Sequence, residues 1–392
     1  MSSLQSTLSF LLPSSTHNKK IAITNVDSWL GCCIAVHLAE KLEKRCPNVQ
    51  IIALTCKDAD SHLDKLKKFK NVHIHKIDYN DEKSIERAIS GAKCALLLPE
   101  MTEHRVKHAK NVLAAMKKEK IKGCLMLSVE GAEIAENHGL KEIKSFHEIE
   151  KMVEEYCSCY LILRKSILNQ CFLLWSPIVQ EKQEFPMSCT AECQMAPLDA
   201  CDLVCAIETV IVEHCRHDDD HNKGNPRDST DTNADAETDE SGEKWNFGGI
   251  HKNKKYILTG PHKITAQGLV QVLNEETGQR VQFKQVPREE LKKYFESLKE
   301  RENWYEDLSI DRCCEMMDIA VAGGDDMHED HDHHHMAPNQ SVINLMLDEL
   351  ELVKKGEVGF VSGDLEKIIG HQGRSVKDFM HKYKDEFRSG RL

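Results

Sequence analysis

Short apolar runs alternate with amphipathic ones through the first half of the chain. Ile21 to Thr24, Val49 to Leu54, Asn71 to Ile77, Cys94 to Leu98, Gly123 to Leu127 and Tyr160 to Leu163 read as strands. Between them, Leu30 to Leu42, Ser84 to Ile89, Thr102 to Glu119 and Ser145 to Tyr156 carry apolar residues at helical spacing. The strands are short and apolar on both faces, and each is followed by a helix. That order predicts a parallel sheet covered by helices, a doubly wound, Rossmann-like α/β fold with ligands at the carboxyl ends of its strands. After Leu173 the alternation breaks. Met195 to Glu213 reads as a strand exit feeding a helix that starts near Asp199 or Asp202. Lys255 to Thr259 and Val281 to Val286 read as strands, and Thr265 to Thr277, Asp307 to Ala322, Val342 to Lys354 and Ser375 to Phe387 as helices. The expected organisation is a flexible segment over 1–18, a dinucleotide-binding core over 19–173, and a smaller, mostly helical C-terminal lobe over 174–392, interleaved with the core. Two polar stretches, 214–250 and 323–338, interrupt that lobe; the first has almost no large apolar side chains with which to offset the entropy of ordering itself.

With 392 residues and a hydrophobic fraction of 40%, the chain can bury a full-sized core. A formal net charge of -12 argues against a nucleic-acid surface, which needs a concentrated basic field. The lysines between Leu63 and Lys70 are interleaved with Leu66 and Phe69, as on the outside of a surface helix. No stretch approaches the ~20 apolar residues of a membrane span, and the start of the chain lacks the pattern of a secretory signal. The 16 cysteines have no framework spacing and read as thiols in a reducing, cytoplasmic setting.

Candidate chemistry begins at the first strand-to-helix corner, Ile21 to Gly31. A dinucleotide-binding loop would place glycines at Asn25 and Ser28; only the last, Gly31, is present. Further segments extend the pattern: HKIDYND from His75, LLLPEM at Leu96 to Met101, YLILRKS at Tyr160 to Ser166, MAPLDACDL at Met195 to Leu203, YILTGPHKIT at Tyr256 to Thr265, and GFVSGDLEKIIGHQGRSVKDFMHKYKDEFR at the end. In this order they resemble the NmrA-like family, atypical members of the short-chain dehydrogenase/reductase group. The resemblance implies NADP or NAD bound across the strand ends. By that resemblance Thr24, Asn25, Ser28, Trp29, Leu30 and Gly31 surround the pyrophosphate, Cys56 and Lys57 lie near the adenosine ribose, Asp78 and Tyr79 approach the adenine, and Leu98 and Pro99 flank the cofactor.

The departures from the family fall at this corner and at the expected proton donor. Ser28 and Trp29 add side chains at the pyrophosphate's seat, and Cys56 stands where NADP-preferring relatives commonly carry arginine; Lys57 offers a point charge rather than a fork. Weakened dinucleotide binding is the expectation. The Tyr-x-x-x-Lys pair of the wider group aligns with Glu142 and Phe146, neither of which can donate as that pair does. His147 and Ser128 are the remaining candidates, each with a plain alternative as a helix residue and a cap.

Two stretches crowd imidazoles with carboxylates: HCRHDDDH, containing His214, His217 and His221, and DDMHEDHDHHHM, containing His328, His331, His333, His334 and His335. Such donors suit Zn(II), Cu(II) or Ni(II), although the spacing matches no defined site and a solvated polar loop explains it equally. The leading expectation is a non-catalytic protein, a regulator, cofactor sensor or assembly component acting through a protein partner or self-association. An NADPH-dependent reductase of small carbonyls or quinones, and a metal-binding or storage protein on a degenerate reductase scaffold, are the alternatives.

Overall fold

The computed structural model describes residues 19–57, 63–222, 247, 249–300 and 338–388. Seven parallel strands form the central sheet: β1 (Lys19–Ile23), β2 (Val49–Thr55), β3 (Val72–Lys76), β4 (Cys94–Leu97), β5 (Gly123–Val129), β6 (Cys159–Lys165) and β9 (Lys254–Leu258). Their spatial order is β3-β2-β1-β4-β5-β6-β9, so the chain reverses direction across the sheet between β1 and β4. In open α/β sheets ligands bind at such a reversal, beyond the carboxyl ends of the strands.

The strands are apolar on both faces because both faces are covered. On one side lie α1 (Trp29–Arg45) and α7 (Ala200–Asn222), packed against each other and onto Ile21, Ile23, Leu125 and Leu161. On the other lie α3 (Glu82–Ile89), α4 (Arg105–Lys118) and α5 (Lys141–Tyr156), burying Ala22, Leu54, Met126 and Ile162. A four-residue helix, α2 (Asp64–Lys67), accounts for the lysine-rich run. The helix read as starting at Ser145 begins four residues earlier, where Leu140 supplies its extended cap.

The smaller lobe has its own apolar centre. Trp175 stacks on Phe185 at 5.1 Å and meets the edge of Phe295 at 5.0 Å. Around it sit α6 (Ser176–Lys182), β7 (Glu184–Met187), β8 (Gln194–Met195), β10 (Ile264–Thr265), α8 (Ala266–Thr277), β11 (Gln282–Gln285), α9 (Arg288–Ser297), α10 (Gln340–Lys355) and α12 (Val376–Tyr383), while α11 (Asp364–Ile369) packs instead against α7 and β9 of the main sheet. The strand expected over Val281 to Val286 pairs in parallel with β7. The terminal helix stops at Tyr383 and finishes as a tighter turn to Phe387; Ser375 starts it with a reciprocal cap through Asp378.

One expectation is corrected. The polar stretch read as losing order at His214 continues α7 to Asn222, with His214 and Cys215 buried and His214 set against the Phe247 ring. Buried residues on the inward face carry the helix past the point where composition turns polar. The helix expected over Asp307 to Ala322 lies outside the described residues. Among the described residues, no helix is long and apolar enough to cross a membrane.

Candidate functional site

The β1–α1 corner is built by short polar links. Thr24 donates its N–H to the Leu96 carbonyl at 3.1 Å, and its hydroxyl accepts from Leu98 N–H at 2.8 Å, which locks the end of β1 to the end of β4. Asn25 follows at φ 56°, the left-handed region that a glycine would occupy and that asparagine tolerates. Ser28 caps α1: its hydroxyl accepts from Gly31 N–H at 3.1 Å and donates to the Asn25 carbonyl at 2.8 Å. The serine hydroxyl is therefore turned back into the corner. Gly31 is required by contact, since a Cβ there would lie 2.0 Å from the Asn25 carbonyl oxygen. Trp29 and Leu30 are half-buried and lean on the core.

A second set of groups closes over this corner from β2, β3 and β4. The Asn25 N–H donates to the Tyr79 hydroxyl at 2.8 Å. Tyr79 is buried and stacks on His108, with ring centroids 5.5 Å apart; burial, then the charges of Glu100 and Asp27, push its phenol well above the usual range. His108 is paired through Nδ1 with Glu100. Burial raises the Glu100 carboxyl, His108 opposes that rise, and Asp27 adds to it. The exposed Cys56 thiol donates to Asp27 at 3.0 Å, and burial together with that carboxylate pushes it up to about 12. The other Asp27 oxygen is buried with no hydrogen-bond partner among the described residues.

The residues expected at a dinucleotide thus divide. Asn25, Ser28, Gly31 and Tyr79 share one hydrogen-bonded network, Thr24 and Leu98 are bonded to each other next to it, and Pro99 is buried. Cys56 joins through Asp27. Lys57 and Asp78 stand at the exposed rim, where Asp78 accepts from Asn80 N–H at 2.8 Å in a local turn. Asp27, Glu100 and His108 were not singled out from sequence. Asp27 lies inside the loop motif and Glu100 directly follows the Leu98-Pro99 strand end, so their positions were the available signal.

The candidate proton donors lie elsewhere. Ser128 is fully buried and donates to Glu150 at 2.6 Å. Arg164 grips the same carboxylate twice, at 2.9 and 2.7 Å, and reaches Glu133 at 2.7 Å. Burial pushes Glu150 up, but the Arg164 hydrogen bonds and charge, Ser128 and Lys255 outweigh it, so its pKa lies below the usual carboxylate range. His147 Nδ1 lies 3.5 Å from Glu150. Phe146 is buried beneath the Arg105 guanidinium, and Glu142 pairs with Arg105 at 2.9 Å. Beyond the ends of β5 and β6, buried Lys165 and Glu349 pair at 2.7 Å. Next to them a cavity of about 10 Å³, lined by Glu130, Ser166, Met195 and Gly359 among others, has room for about one water. Burial raises the Glu130 carboxyl despite hydrogen bonds from Ser166 and Gly359. Of the histidines considered for metal, His214 is buried inside α7, while His217 and His221 lie on that helix with side chains outside the described set. His328, His331, His333, His334 and His335 lie outside the described residues.

No family model matches the chain, and no curated protein matches it in sequence. Solved structures share its fold. The Escherichia coli NADPH-dependent quinone oxidoreductase QOR2, complexed with NADPH, aligns over 92% of this chain and 99% of its own at 18% identity, with a TM-score of 0.62. The Citrobacter sp. triphenylmethane reductase complexed with NADP(H) aligns over 93% and 99% at 18% identity and 0.63. NmrA, a negative transcriptional regulator, in complex with NAD, aligns over 94% and 96% at 11% identity and 0.58. The protein therefore has the Rossmann-type fold on which both NADPH-dependent reductases and the NmrA regulator are built.

Proposed function

We propose that the protein binds an NAD(P) dinucleotide at the β1–α1 corner and reduces a small quinone-type acceptor, preferring NAD(H) to NADP(H). The observation that carries the binding half is the corner's backbone. Asn25 adopts the left-handed turn of a glycine, Ser28 folds its hydroxyl away, and Gly31 keeps the helix against the loop. The preference comes from Asp27. Its unpartnered oxygen can accept from a ribose hydroxyl, whereas a 2'-phosphate would meet its charge. At roughly 5 Å and surface-like screening that repulsion is worth about 1–3 kcal/mol, or about tenfold to a hundredfold in Kd.

The turn from Asn25 to Gly31, braced by its own hydrogen bonds, would seat the pyrophosphate at the start of α1, Asp27 and Cys56 would face the adenosine ribose, and Leu98 and Pro99 would flank the bound molecule, which supplies a hydride. A quinone asks least of the protein. Its reduced oxygen is a phenolate with an ordinary pKa near ~10, which water protonates, whereas a ketone's alkoxide needs a positioned acid. The fold-level likeness to a quinone oxidoreductase and a dye reductase supports the acceptor class, and the preference between the two dinucleotides rests on Asp27 alone.

A second reading, a cofactor-sensing regulator without turnover that acts through a protein partner or self-association, is favoured by the packing beyond β5 and β6. There the Lys165–Glu349 pair and the small cavity leave little space next to Glu130. One experiment separates the two. Tryptophan fluorescence and calorimetry follow binding of NADH and NADPH, and NADH oxidation is then followed with a panel of benzoquinones and naphthoquinones. Saturable binding with turnover supports the reductase, and saturable binding without turnover supports the sensor. Failure of both dinucleotides to bind at millimolar concentration overturns both readings. Asp27→Ser should move the preference towards NADPH; an unchanged ratio removes Asp27 from the argument.

A further inference from the structure

About two turns along α1 from the corner, His37 meets two residues of α7. His37 Nε2 lies 2.7 Å from Glu208 Oε2, and the donor atoms of His37, Cys205 and Glu208 all lie within 4.8 Å of one another. We propose that these three residues form a binding site for one borderline divalent transition-metal ion of the Zn(II) type, distinct from the histidine-rich stretches. Cys205 and Glu208 are three residues apart, which puts both on one face of α7, and the α1–α7 packing brings His37 to that face.

The donor set argues for this class of ion. Thiolate, imidazole and carboxylate together suit Zn(II) and Co(II) rather than the oxygen-preferring Mg(II) or Ca(II). Bonds of about 2.0 Å to nitrogen and oxygen and about 2.3 Å to sulfur require donor atoms roughly 3.3–3.5 Å apart in a tetrahedron. The histidine and carboxylate must therefore separate slightly and the thiol approach, movements within reach of side-chain rotation. Cys205 is only partly buried, which gives an entry path and leaves a fourth position for water. Arg45 holds the second oxygen of Glu208 at 3.0 Å and would orient the carboxylate from outside the coordination sphere.

His37 is 4% exposed, and its Nε2, held 2.7 Å from Glu208 Oε2, is the nitrogen placed to bind the ion. The Cys205 thiol sits beside the Glu208 carboxylate, and burial followed by that charge raises its pKa. A bound cation reverses that effect: the thiol gives its proton to water as the metal–sulfur bond forms. The neighbouring Arg45, Lys41 and Arg374 charges oppose the ion, while Glu208 and Asp202 favour it.

The test is a Co(II) titration of the full-length, tag-free chain after treatment with a chelator. The expected result is a near-ultraviolet thiolate-to-cobalt band that saturates at one ion per chain and is displaced by Zn(II). It should be lost in Cys205→Ser, and weakened at least tenfold in His37→Gln and in Glu208→Gln. It should persist when His328, His331, His333, His334 and His335 are all replaced by alanine. Circular dichroism of Cys205→Ser confirms that the fold survives. Absence of the band, or a band unchanged in Cys205→Ser, overturns the proposal.

Discussion

Arg164→Met isolates the most heavily buried charge in the core. Glu150 has no solvent exposure, and its carboxylate takes one hydrogen bond from Ser128 and two from Arg164. Methionine keeps the stem of the arginine but removes both guanidinium bonds. That leaves a buried anion with Ser128, with His147 at 3.5 Å and with Lys255 at 3.8 Å. Stranding one member of a buried pair costs about 3–5 kcal/mol, a large share of a total stability of about 5–15 kcal/mol. Urea unfolding at pH 7, followed by far-ultraviolet circular dichroism, should show that loss. The double variant Glu150→Leu with Arg164→Met should return to within about 1 kcal/mol of the parent, since a packed apolar pair replaces the ionic one at little net cost. The sign with pH follows from Glu150 lying below its unfolded value. Its contribution is complete above the unfolded carboxylate pKa of about 4.3 and disappears as pH falls through the folded value. Parent and Arg164→Met should therefore converge in acid. A loss below about 1 kcal/mol at pH 7, or a gap that widens in acid, refutes the view that Ser128, Glu150 and Arg164 form a structural clasp.

Gly31→Ala should collapse the corner, because the added carbon meets the Asn25 carbonyl oxygen at 2.0 Å; the expected readouts are a lower Tm and loss of dinucleotide binding, and parental values for both refute the contact. Tyr79→Phe removes the acceptor of the Asn25 N–H and should cost about 1–3 kcal/mol in urea unfolding, with amide exchange at Asn25 accelerated. Glu130→Gln should stabilise the protein at neutral pH. The parent carboxyl has a raised pKa, so the folded state binds its proton more tightly and stability falls as pH rises from the unfolded towards the folded value. The gain should vanish below about pH 4, and a gain independent of pH counts against a buried ionisable Glu130.

The strands were legible because burial on both faces leaves no polar alternation, as in Ile21–Thr24 and Cys94–Leu98. Strand β9 was found, but its half-exposed KKYIL run gives no hint that it pairs with β6 as the outer strand of the same sheet. The α7 extension was missed because HCRHDDDH is polar in composition, while its helical phase continues to put His214 and Cys215 inward. At the corner, the left-handed role of Asn25 could be read from residue type alone. The direction of the Ser28 hydroxyl could not, since it depends on the cap of α1. Tyr79 joins a partner 54 positions away, and no local pattern encodes such a bond.

The outer strand has a consequence for synthesis. β9 pairs with β6 from Leu161–Lys254 to Lys165–Leu258, yet almost ninety residues of chain separate the two. A ribosome-bound or truncated product that stops short of Lys254 would carry β6 as a bare rim of unsatisfied amides and carbonyls, the kind of template on which other unfinished copies assemble. Safe release of the amino-terminal half thus waits for a segment translated long after it.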